Sequence, residues 1–375
     1  MVAVEATPEE FGLWYEEQAG TPVRRLLCAF GARVTGGLRI GPAGFTRAFE
    51  RVLGRHPECR ATFDVDHDGT LVKSLGTAKS GEVAVFGPDQ LASEVVGALT
   101  GEPMSAVTGP VLRLAVRVDR SGLVDHVFGV AHHVVWDARS EELFWESLTR
   151  ELVEEPTDGP HGTVRPAVGA TEDPDPQWRA ELGGDLWDRV RPMAREHAVT
   201  PFAWIAGHLA AGVAAWSGRA VSPYVDVDLR ALGDGSPDRI GYFQTQRRLR
   251  DIDAGTPGAE AAAQVLADVA TLVAQAMTTG LTPDSEARAD TQPCKFYLRG
   301  PRPEHADTVL SPVDLALPVA RNDLAVGLTS AGDRTHLTVT ARRELFGPDE
   351  LRRLGRELRT VLDIAANESR QGDQD

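Results

Sequence analysis

The sequence predicts an α/β protein with two domains, and three observations lead to this prediction. Short β-rich stretches alternate with amphipathic helical patterns along the chain, for example at residues 125–130 and 141–148. A chain of 375 residues with 42% hydrophobic content is long enough for two or three domains with sizeable cores. Residues 154–176 are rich in proline, glycine and acids, a composition typical of a linker. We therefore predict two domains, at residues 1–165 and 166–375.

The first domain is predicted to contain short elements that lead to a buried strand and a helix. Residues 125–130 are mostly apolar and β-rich, which indicates the buried strand. Residues 141–148 follow as an amphipathic helix with acids in its first turn. The other predicted elements are a capped helix at 7–18, strands at 24–34 and 112–118, a helix at 42–54 and a hairpin at 64–75.

The second domain is predicted to mix helices and strands in the same way. Thr200 as N-cap, followed by Pro201 at the first helical position, is a good signal for the start of a helix. Residues 278–303 are predicted to be irregular. The other predicted elements are helices at 177–198 and 260–277, strands at 224–230, 322–328 and 336–341, and a last helix entered at 344–351.

Composition excludes several classes of partner and suggests a compartment. The net charge of −16 argues against nucleic acids and anionic membranes. No apolar run is long enough to cross a bilayer, and the N-terminus lacks the basic start and apolar stretch of a signal peptide. Cys28, Cys59 and Cys294 are widely spaced and form no CxxC pair. We therefore expect a reduced, cytoplasmic protein whose thiols are buried or incidental. A catalytic role for Cys59 as a nucleophile is a weaker alternative.

Two adjacent histidines, His132 and His133, follow the predicted buried strand, and Asp137 comes four residues after the second. A neutral imidazole at the end of a strand is suited to take a proton from an attacking amine, hydroxyl or thiol. A satisfied structural pair is an equally good explanation of the residues alone. A metal site is a third possibility, although no further ligand lies at a familiar spacing such as that of the zincins.

This stretch resembles the HHxxxDG motif of the condensation-domain superfamily, with Ala138 in place of the glycine. That superfamily includes nonribosomal peptide condensation domains and chloramphenicol acetyltransferase. Other stretches resemble family motifs in the family order, from residue 11 to about residue 365. They are RHExLRTxF at Arg55, His56, Arg60, Thr62 and Phe63, a strand that ends near Arg230, IGxFVNTxxLR at Ile240, Gly241, Phe243, Leu249 and Arg250, and an ending at 344–351.

The resemblance implies a fold and an activity. The fold would be two lobes like chloramphenicol acetyltransferase, arranged as a V-shaped pseudo-dimer around a central tunnel. The activity would be transfer of an acyl or aminoacyl group from a thioester to an amine or alcohol, in natural-product biosynthesis of the nonribosomal peptide type. A catalytically silent module that docks a carrier protein or a tailoring enzyme is the alternative. The two histidines argue against the heterocyclisation branch, and the lack of a second-lobe glutamate motif argues against the epimerisation branch.

The resemblance also implies roles for individual residues. His133 would be the general base or would position the nucleophile, and His132 would support it with an inward-packed ring. Asp137 would form a structural salt bridge with Arg230. Candidates for lining the tunnel are Trp136, Ala138, Tyr242, Gln244 and Gln246, and for Trp136 we favour packing in the core over narrowing the channel.

The implied donor is an acyl thioester on the phosphopantetheine arm of a carrier protein or on coenzyme A. We expect no metal and no tightly bound cofactor, and we expect a monomer that meets an acyl or peptidyl carrier protein and a small acceptor. Carrier proteins are commonly acidic, so docking to this acidic chain requires a local basic patch. The candidates for that patch are the pairs Arg24-Arg25 and Arg247-Arg248.

Overall fold

In the computed structural model, the described residues are 2–78, 82–155, 174–230, 238–278, 292–299, 309–313, 315, 319–331 and 334–367. The boundary that we predicted after residue 165 lies outside these residues. The helices, in chain order, are α1 Pro8–Gln18, α2 Pro42–Arg55, α3 Ala92–Gly101, α4 Ala138–Glu154, α5 Leu186–Glu196, α6 Pro201–Ser217, α7 Gly258–Thr278 and α8 Pro348–Ala365.

Fourteen strands are assigned within the described residues. In chain order they are β1 Val2–Glu5, β2 Leu27–Val34, β3 Thr62–Val65, β4 Leu71–Leu75, β5 Ala84–Phe86, β6 Leu112–Val118, β7 Val124–His132, β8 Gln177–Leu182, β9 Val221–Asp228, β10 Gln244–Arg248, β11 Gln292–Arg299, β12 Leu310–Val313, β13 Leu324–Ala331 and β14 Arg334–Ala341.

The strands form three sheets, two of which are mixed. The orders are β12-β2-β7-β6-β5, β10-β9-β11-β13-β14-β8 and β1-β4-β3. In the five-stranded sheet, β7 is antiparallel to both β2 and β6, whereas β5 runs parallel to β6. In the six-stranded sheet, β9, β11 and β13 are parallel, and β14 and β8 are antiparallel to their neighbours. The predicted α/β class with mixed sheets is confirmed.

The chain forms two compact units. Unit 1 comprises Met1–Asp173, Asp234–Gln244 and Glu304–Val319, and unit 2 comprises Pro174–Gly233, Thr245–Pro303 and Ala320–Asp375. We did not predict that two later segments of the chain belong to unit 1. One of them contributes β12, which pairs with the edge of β2. The other brings the Ile240-Gly241-Tyr242-Phe243 stretch, whose Ile240 is fully buried in the unit 1 core.

Each unit has its own apolar core. In unit 1, rings from β2, α2 and α4 pack beneath the five-stranded sheet; they include Phe30, Phe49 and Phe144. β7 can lie centrally because Gly129 has no side chain, since a Cβ there would come within 2.2 Å of the Phe30 ring. In unit 2, the buried faces of α6 and α8 cover the six-stranded sheet, with Trp204 and Leu354 fully buried.

Two predicted elements of unit 2 were wrong. Residues 177–182 form strand β8 rather than the first turns of a helix, because they pair with β14. Trp178, Ala180 and Leu182 alternate with polar residues, which is strand periodicity within a pattern that we assigned to a helix. The stretch 278–303 was predicted to be irregular, but it contains β11, a parallel strand between β9 and β13.

Helix α7 corrects a further prediction. Its 21 residues, with a mean hydropathy of 1.3 and only 17% of the apolar window buried, are long and apolar enough to cross a bilayer by length and composition. The pair α5 and α6 meets the same criterion only if the two helices, bent by 94°, are counted as one span. Length and composition alone are weak evidence for a membrane span, because core helices of soluble proteins also meet the criterion.

Candidate active site

The two histidines lie where β7 ends and α4 begins. His132 is the last residue of β7, and a 3₁₀ turn, His133–Val135, follows it. Asp137 then caps α4, because its Oδ1 accepts a hydrogen bond from the Ser140 amide at 2.8 Å. The predicted strand, histidine pair and helix are therefore found in the predicted order, with unit 1 providing all of them.

The His132 ring is fully buried and faces α1. Its Nδ1 accepts a hydrogen bond from the Val134 amide at 3.1 Å, so His132 caps the 3₁₀ turn. Because Nδ1 accepts, the ring proton of a neutral imidazole must be on Nε2. Nε2 lies 3.3 Å from Glu17 Oε2, a close electrostatic contact that is not aligned well enough to be a hydrogen bond.

Glu17 is a functional candidate that the sequence did not reveal. Its Oε1 accepts a hydrogen bond from the Ser105 hydroxyl at 2.8 Å, and its Oε2 accepts one from the Ala106 amide at 3.0 Å. Burial alone would raise the pKa of Glu17, but His132, Ala106 and Ser105 together lower it below its usual value. The carboxylate is therefore ionised at neutral pH. No local motif marks Glu17, because its partners lie about 90 or more residues away in sequence.

His133 is partly exposed, unlike His132. Its Nδ1 lies 2.6 Å from the Trp136 carbonyl oxygen. A carbonyl oxygen only accepts, so Nδ1 carries the proton and Nε2 of the neutral ring is the basic nitrogen. The ring of Tyr242 meets the His133 ring edge to face, with 4.9 Å between centroids. His133 thus has a fixed tautomer and a fixed ring plane, which is the arrangement that a general base requires.

The N-terminus of α4 binds the segment that carries Tyr242. Asp137 Oδ2 accepts a hydrogen bond from the Phe243 amide at 3.0 Å. The Ser140 hydroxyl donates to the Gly241 carbonyl at 2.7 Å and lies 2.9 Å from the Gly241 amide, from which it accepts. These buried bonds fix the backbone on both sides of Tyr242. They explain how two motifs that are about 100 residues apart in the chain meet at His133.

Trp136 and Ala138 were predicted candidates for the tunnel lining. Trp136 is only 1% exposed, and its ring stacks on Phe30 with 4.6 Å between centroids. The side chain therefore packs in the core, which is the interpretation that we favoured. Ala138 is the first residue of α4, is partly exposed and does not have positive φ, so its backbone does not require glycine.

Arg230, Gln244 and Gln246 complete the predicted site residues. Arg230 follows β9 and is 4% exposed, and its backbone amide donates to Asp228 Oδ1 at 2.9 Å. Gln244 and Gln246 are partly exposed on alternate positions of β10. Asp137 belongs to unit 1 and Arg230 to unit 2, and the salt bridge predicted between them stays a prediction, as do the lining roles of Tyr242 and the two glutamines.

The stretch that resembles RHExLRTxF links α2 and β3 to the rest of unit 1. Arg55 forms an ion pair with Glu151 of α4 at 2.5 Å, and His56 Nε2 lies 2.9 Å from the Ser147 hydroxyl. Cys59, within this stretch, is buried, and burial raises the pKa of its thiol, which disfavours the reactive thiolate. These contacts tie the stretch to α4 and give it a structural role within unit 1.

A group of potential metal ligands and a groove in unit 2 lie among the described residues, and neither contains a predicted site residue. Within the described residues, Asp66, His67 and Asp68 are close enough together to hold a metal ion, and they lie at the tip of the β3–β4 hairpin. A groove of about 610 Å³ in unit 2 is lined by residues such as Trp216 and Phe346, and no predicted site residue lines it.

Comparison with known proteins identifies the fold. No protein-family model and no curated protein matches the sequence. Solved structures do match, and several of them are condensation domains that are covered over nearly their whole length. The chain therefore has the condensation-domain fold, as the resemblance implied. The V-shaped arrangement of the lobes and the tunnel stay predictions.

Three neighbours illustrate the range of proteins with this fold. The first condensation domain of the calcium-dependent antibiotic synthetase, in complex with a substrate analogue, has a TM-score of 0.77 at 14% identity, covering 98% of this chain and 97% of that chain. The condensation domain from the monacolin K polyketide synthase has a TM-score of 0.74 at 16% identity, covering 99% and 98%. The epimerization domain from the third module of tyrocidine synthetase B has a TM-score of 0.72 at 12% identity, covering 98% and 97%.

Proposed function

We propose that this protein is a condensation-type acyltransferase that forms an amide or ester from a thioester in natural-product biosynthesis. The observation that carries the proposal is the His133 imidazole, whose Nδ1–H donates to the Trp136 carbonyl at 2.6 Å and leaves Nε2 as the basic atom. The fold supports the proposal because condensation domains share it, although the likeness to an epimerization domain means that the fold alone does not select the chemistry.

The reaction follows from one proton transfer in each direction. His133 Nε2 takes a proton from the amine or hydroxyl of the acceptor as its nitrogen or oxygen attacks the thioester carbonyl carbon. A C–N or C–O bond forms and the C–S bond breaks. The imidazolium then returns the proton to the departing thiolate, which leaves as a free thiol, so no other reagent is consumed. His132, Trp136 and Tyr242 hold the ring while this occurs.

The donor that we propose is an acyl or aminoacyl group on a carrier protein or on coenzyme A. One neighbour supports thioester donors, because a mutant of the starter condensation domain of rhizomide synthetase was solved in complex with C8-CoA and Leu-SNAC. A four-domain nonribosomal peptide synthetase also contains this fold. The acceptor is a small amine or alcohol. We also propose that the protein acts as a cytoplasmic monomer and uses neither nucleic acid, membrane nor metal.

A catalytically silent module that docks a carrier protein is the second candidate. Ala138 favours it, because this residue replaces the glycine of the motif that the chain resembles. The core position of Trp136 argues against one version of this candidate, in which the indole plugs the cleft. The two candidates differ in one measurable property, since only the transferase releases a thiol from an acyl thioester when an acceptor is present.

The deciding experiment is mass spectrometry of the purified protein with acyl-carrier and small acyl-thioester donors and a panel of amines and alcohols. We expect a condensation product and free thiol, and His133→Ala is expected to reduce turnover by roughly 10²–10⁴-fold, the contribution typical of a general base. His67→Ala, an exposed histidine on the β3–β4 turn, is the matched control and should keep full activity. Turnover of His133→Ala within about threefold of the wild type would rule out the proposed base.

A further inference from the structure

Glu17 lies at the start of a chain of contacts that ends at His133. Its carboxylate faces Nε2 of His132 at 3.3 Å, and Nδ1 of the same ring accepts the Val134 amide at 3.1 Å. That amide belongs to the 3₁₀ turn His133–Val135, which presents His133. The whole chain of contacts lies in unit 1, on α1, β7 and the turn that follows.

The tautomer of His132 decides whether this turn is capped. The Val134 amide is a donor, so the cap exists only when Nδ1 has no proton. If the proton moved to Nδ1, two donors would face each other in a site without water access, and the cap would be replaced by repulsion. An acceptor beside Nε2 favours the tautomer that carries its proton there. Glu17 Oε2 is in that position.

The carboxylate is itself held in place and kept charged. Ser105 and Ala106 donate to its two oxygens, and together with His132 they lower the pKa of Glu17 despite its burial. Oε2 accepts a hydrogen bond from the Ala106 amide and also lies beside Nε2 of His132. Oε1 accepts a hydrogen bond from the Ser105 hydroxyl. The Ser105 hydroxyl and the Ala106 amide therefore hold the acceptor oxygen in its position beside His132.

We propose that Glu17 is a positioning residue that selects the Nε2–H tautomer of His132 and thereby caps the turn that presents His133. The proposal rests on the proposed function only for its effect on turnover, since the tautomer is a property of the resting protein. The resemblance to the HHxxxDG motif gives His132 a supporting role but names no residue that contacts either of its ring nitrogens. The structure gives Nδ1 a hydrogen bond from the Val134 amide and places the Glu17 carboxylate 3.3 Å from Nε2, as an electrostatic contact.

The arrangement of the three donors makes one substitution a rescue and another a knockout. In Glu17→Gln, the amide oxygen can occupy the Oε2 position and accept from Ala106 and His132, while the amide NH₂ donates to the Ser105 hydroxyl, which can also accept. In Glu17→Met, a side chain of similar length offers no such acceptor. Glu16→Met, on the exposed side of the same helix, is the matched control.

The first measurement is the tautomer, read from the imidazole ¹⁵N shifts of protein labelled at histidine, with the His132 signals assigned by their loss in His132→Gln. We expect the Nε2–H form in the wild type, in Glu17→Gln and in Glu16→Met, and a shift towards the Nδ1–H form in Glu17→Met. A wild-type His132 in the Nδ1–H form would overturn the proposal, and this result requires no variant of Glu17 to fold.

The second measurement is kinetic. Glu17→Met is expected to lower kcat about tenfold with KM within about twofold, because only the presentation of the base is disturbed, whereas Glu17→Gln recovers most of kcat. Ser105→Ala loosens the loop but keeps the contact with His132, so it should lower the melting temperature without this loss of kcat. Equal kcat in Glu17→Met and the wild type would overturn the positioning role. An inactive wild type would instead refute the proposed function and leave the tautomer result standing.

Discussion

His132 and His133 show how adjacent residues of one type acquire different roles. Successive side chains at the end of a strand point to opposite faces, so one ring enters the core and the other does not. The buried ring bonds through Nδ1 as an acceptor, whereas the partly exposed ring bonds through Nδ1 as a donor. The two imidazoles therefore hold opposite tautomers. The sequence predicted the difference in burial through the resemblance, but it contained no information on the tautomers.

One residue-scale prediction concerns the acid stability of unit 1. Burial alone would raise the pKa of Asp125, but the neighbouring His126 and the Arg117 guanidinium, which donates to both carboxylate oxygens, lower it to about 2. Because the folded pKa lies below the unfolded value, this carboxylate stabilises the fold above about pH 4 and loses that effect as the pH falls towards 2. Asp125→Asn should therefore lower the free energy of unfolding by about 1–2 kcal/mol at pH 7, a value reduced for partial exposure.

Denaturant unfolding between pH 7 and pH 3 measures this effect. The difference between the wild type and Asp125→Asn is expected to shrink as the pH falls, because the wild-type carboxylate loses its advantage on protonation. Asp68→Asn, on an exposed turn, controls for the loss of one negative charge. A difference that stays constant across this pH range would show that Asp125 acts through packing rather than charge.

At the scale of elements, the N-terminus of α4 is the point where two distant stretches of chain are joined. The Ser140 hydroxyl bonds to both the carbonyl and the amide of Gly241, and Asp137 accepts hydrogen bonds from the Ser140 and Phe243 amides. Ser140→Ala leaves a buried amide and a buried carbonyl without these partners, and we expect it to lower the free energy of unfolding by about 2–4 kcal/mol. Thermal and denaturant unfolding give this value.

The same helix offers the control for that substitution. Ser147 is also buried on α4, but the hydrogen bond described for its hydroxyl is to the side chain of His56 and not to backbone groups. Ser147→Ala should therefore cost about 1 kcal/mol, the typical net value of one hydrogen bond. Equal losses in the two variants would mean that the Gly241 backbone finds other partners, and that α4 does not hold the Tyr242 segment in the way we describe.

The elements also show which parts of the fold a sequence can predict. Thr7 with Glu10 forms the capping box that begins α1, and Thr200 with Pro201 begins α6, because such signals act within a few residues. β8 was assigned to a helix because its alternating pattern is only six residues long and stands just before the helical pattern of α5, while its partner β14 lies about 150 residues later. Glu17 was missed as part of the site for the same reason, because its partner His132 is distant in the chain. Tyr242 was named as a candidate only through the resemblance, and its contact with His133 is equally distant in the chain.

At the scale of the whole molecule, the net charge of −16 sets the condition for meeting a carrier protein. An acidic partner approaches against this field, so productive encounter depends on a local basic surface. The predicted pair Arg247-Arg248 is a poor candidate for this surface. The Arg248 side chain is 10% exposed and forms hydrogen bonds with Ser222 and Asp251 within unit 2. Reversing its charge would break a buried network and test stability rather than docking.

The pair Arg24-Arg25 provides the better test. Both residues are partly exposed on the 3₁₀ turn that precedes β2, so charge reversal there changes the charge at the protein surface. We expect Arg24→Glu with Arg25→Glu to slow carrier-dependent turnover about tenfold at low ionic strength, and less at high salt, because electrostatic attraction between exposed charges is screened. Turnover of a small thioester should be unaffected, since it needs no docking. Arg120→Glu, on the exposed turn between β6 and β7, is the control for charge. Equal loss with both donors would show that this pair supports the fold or the chemistry and is not a docking surface.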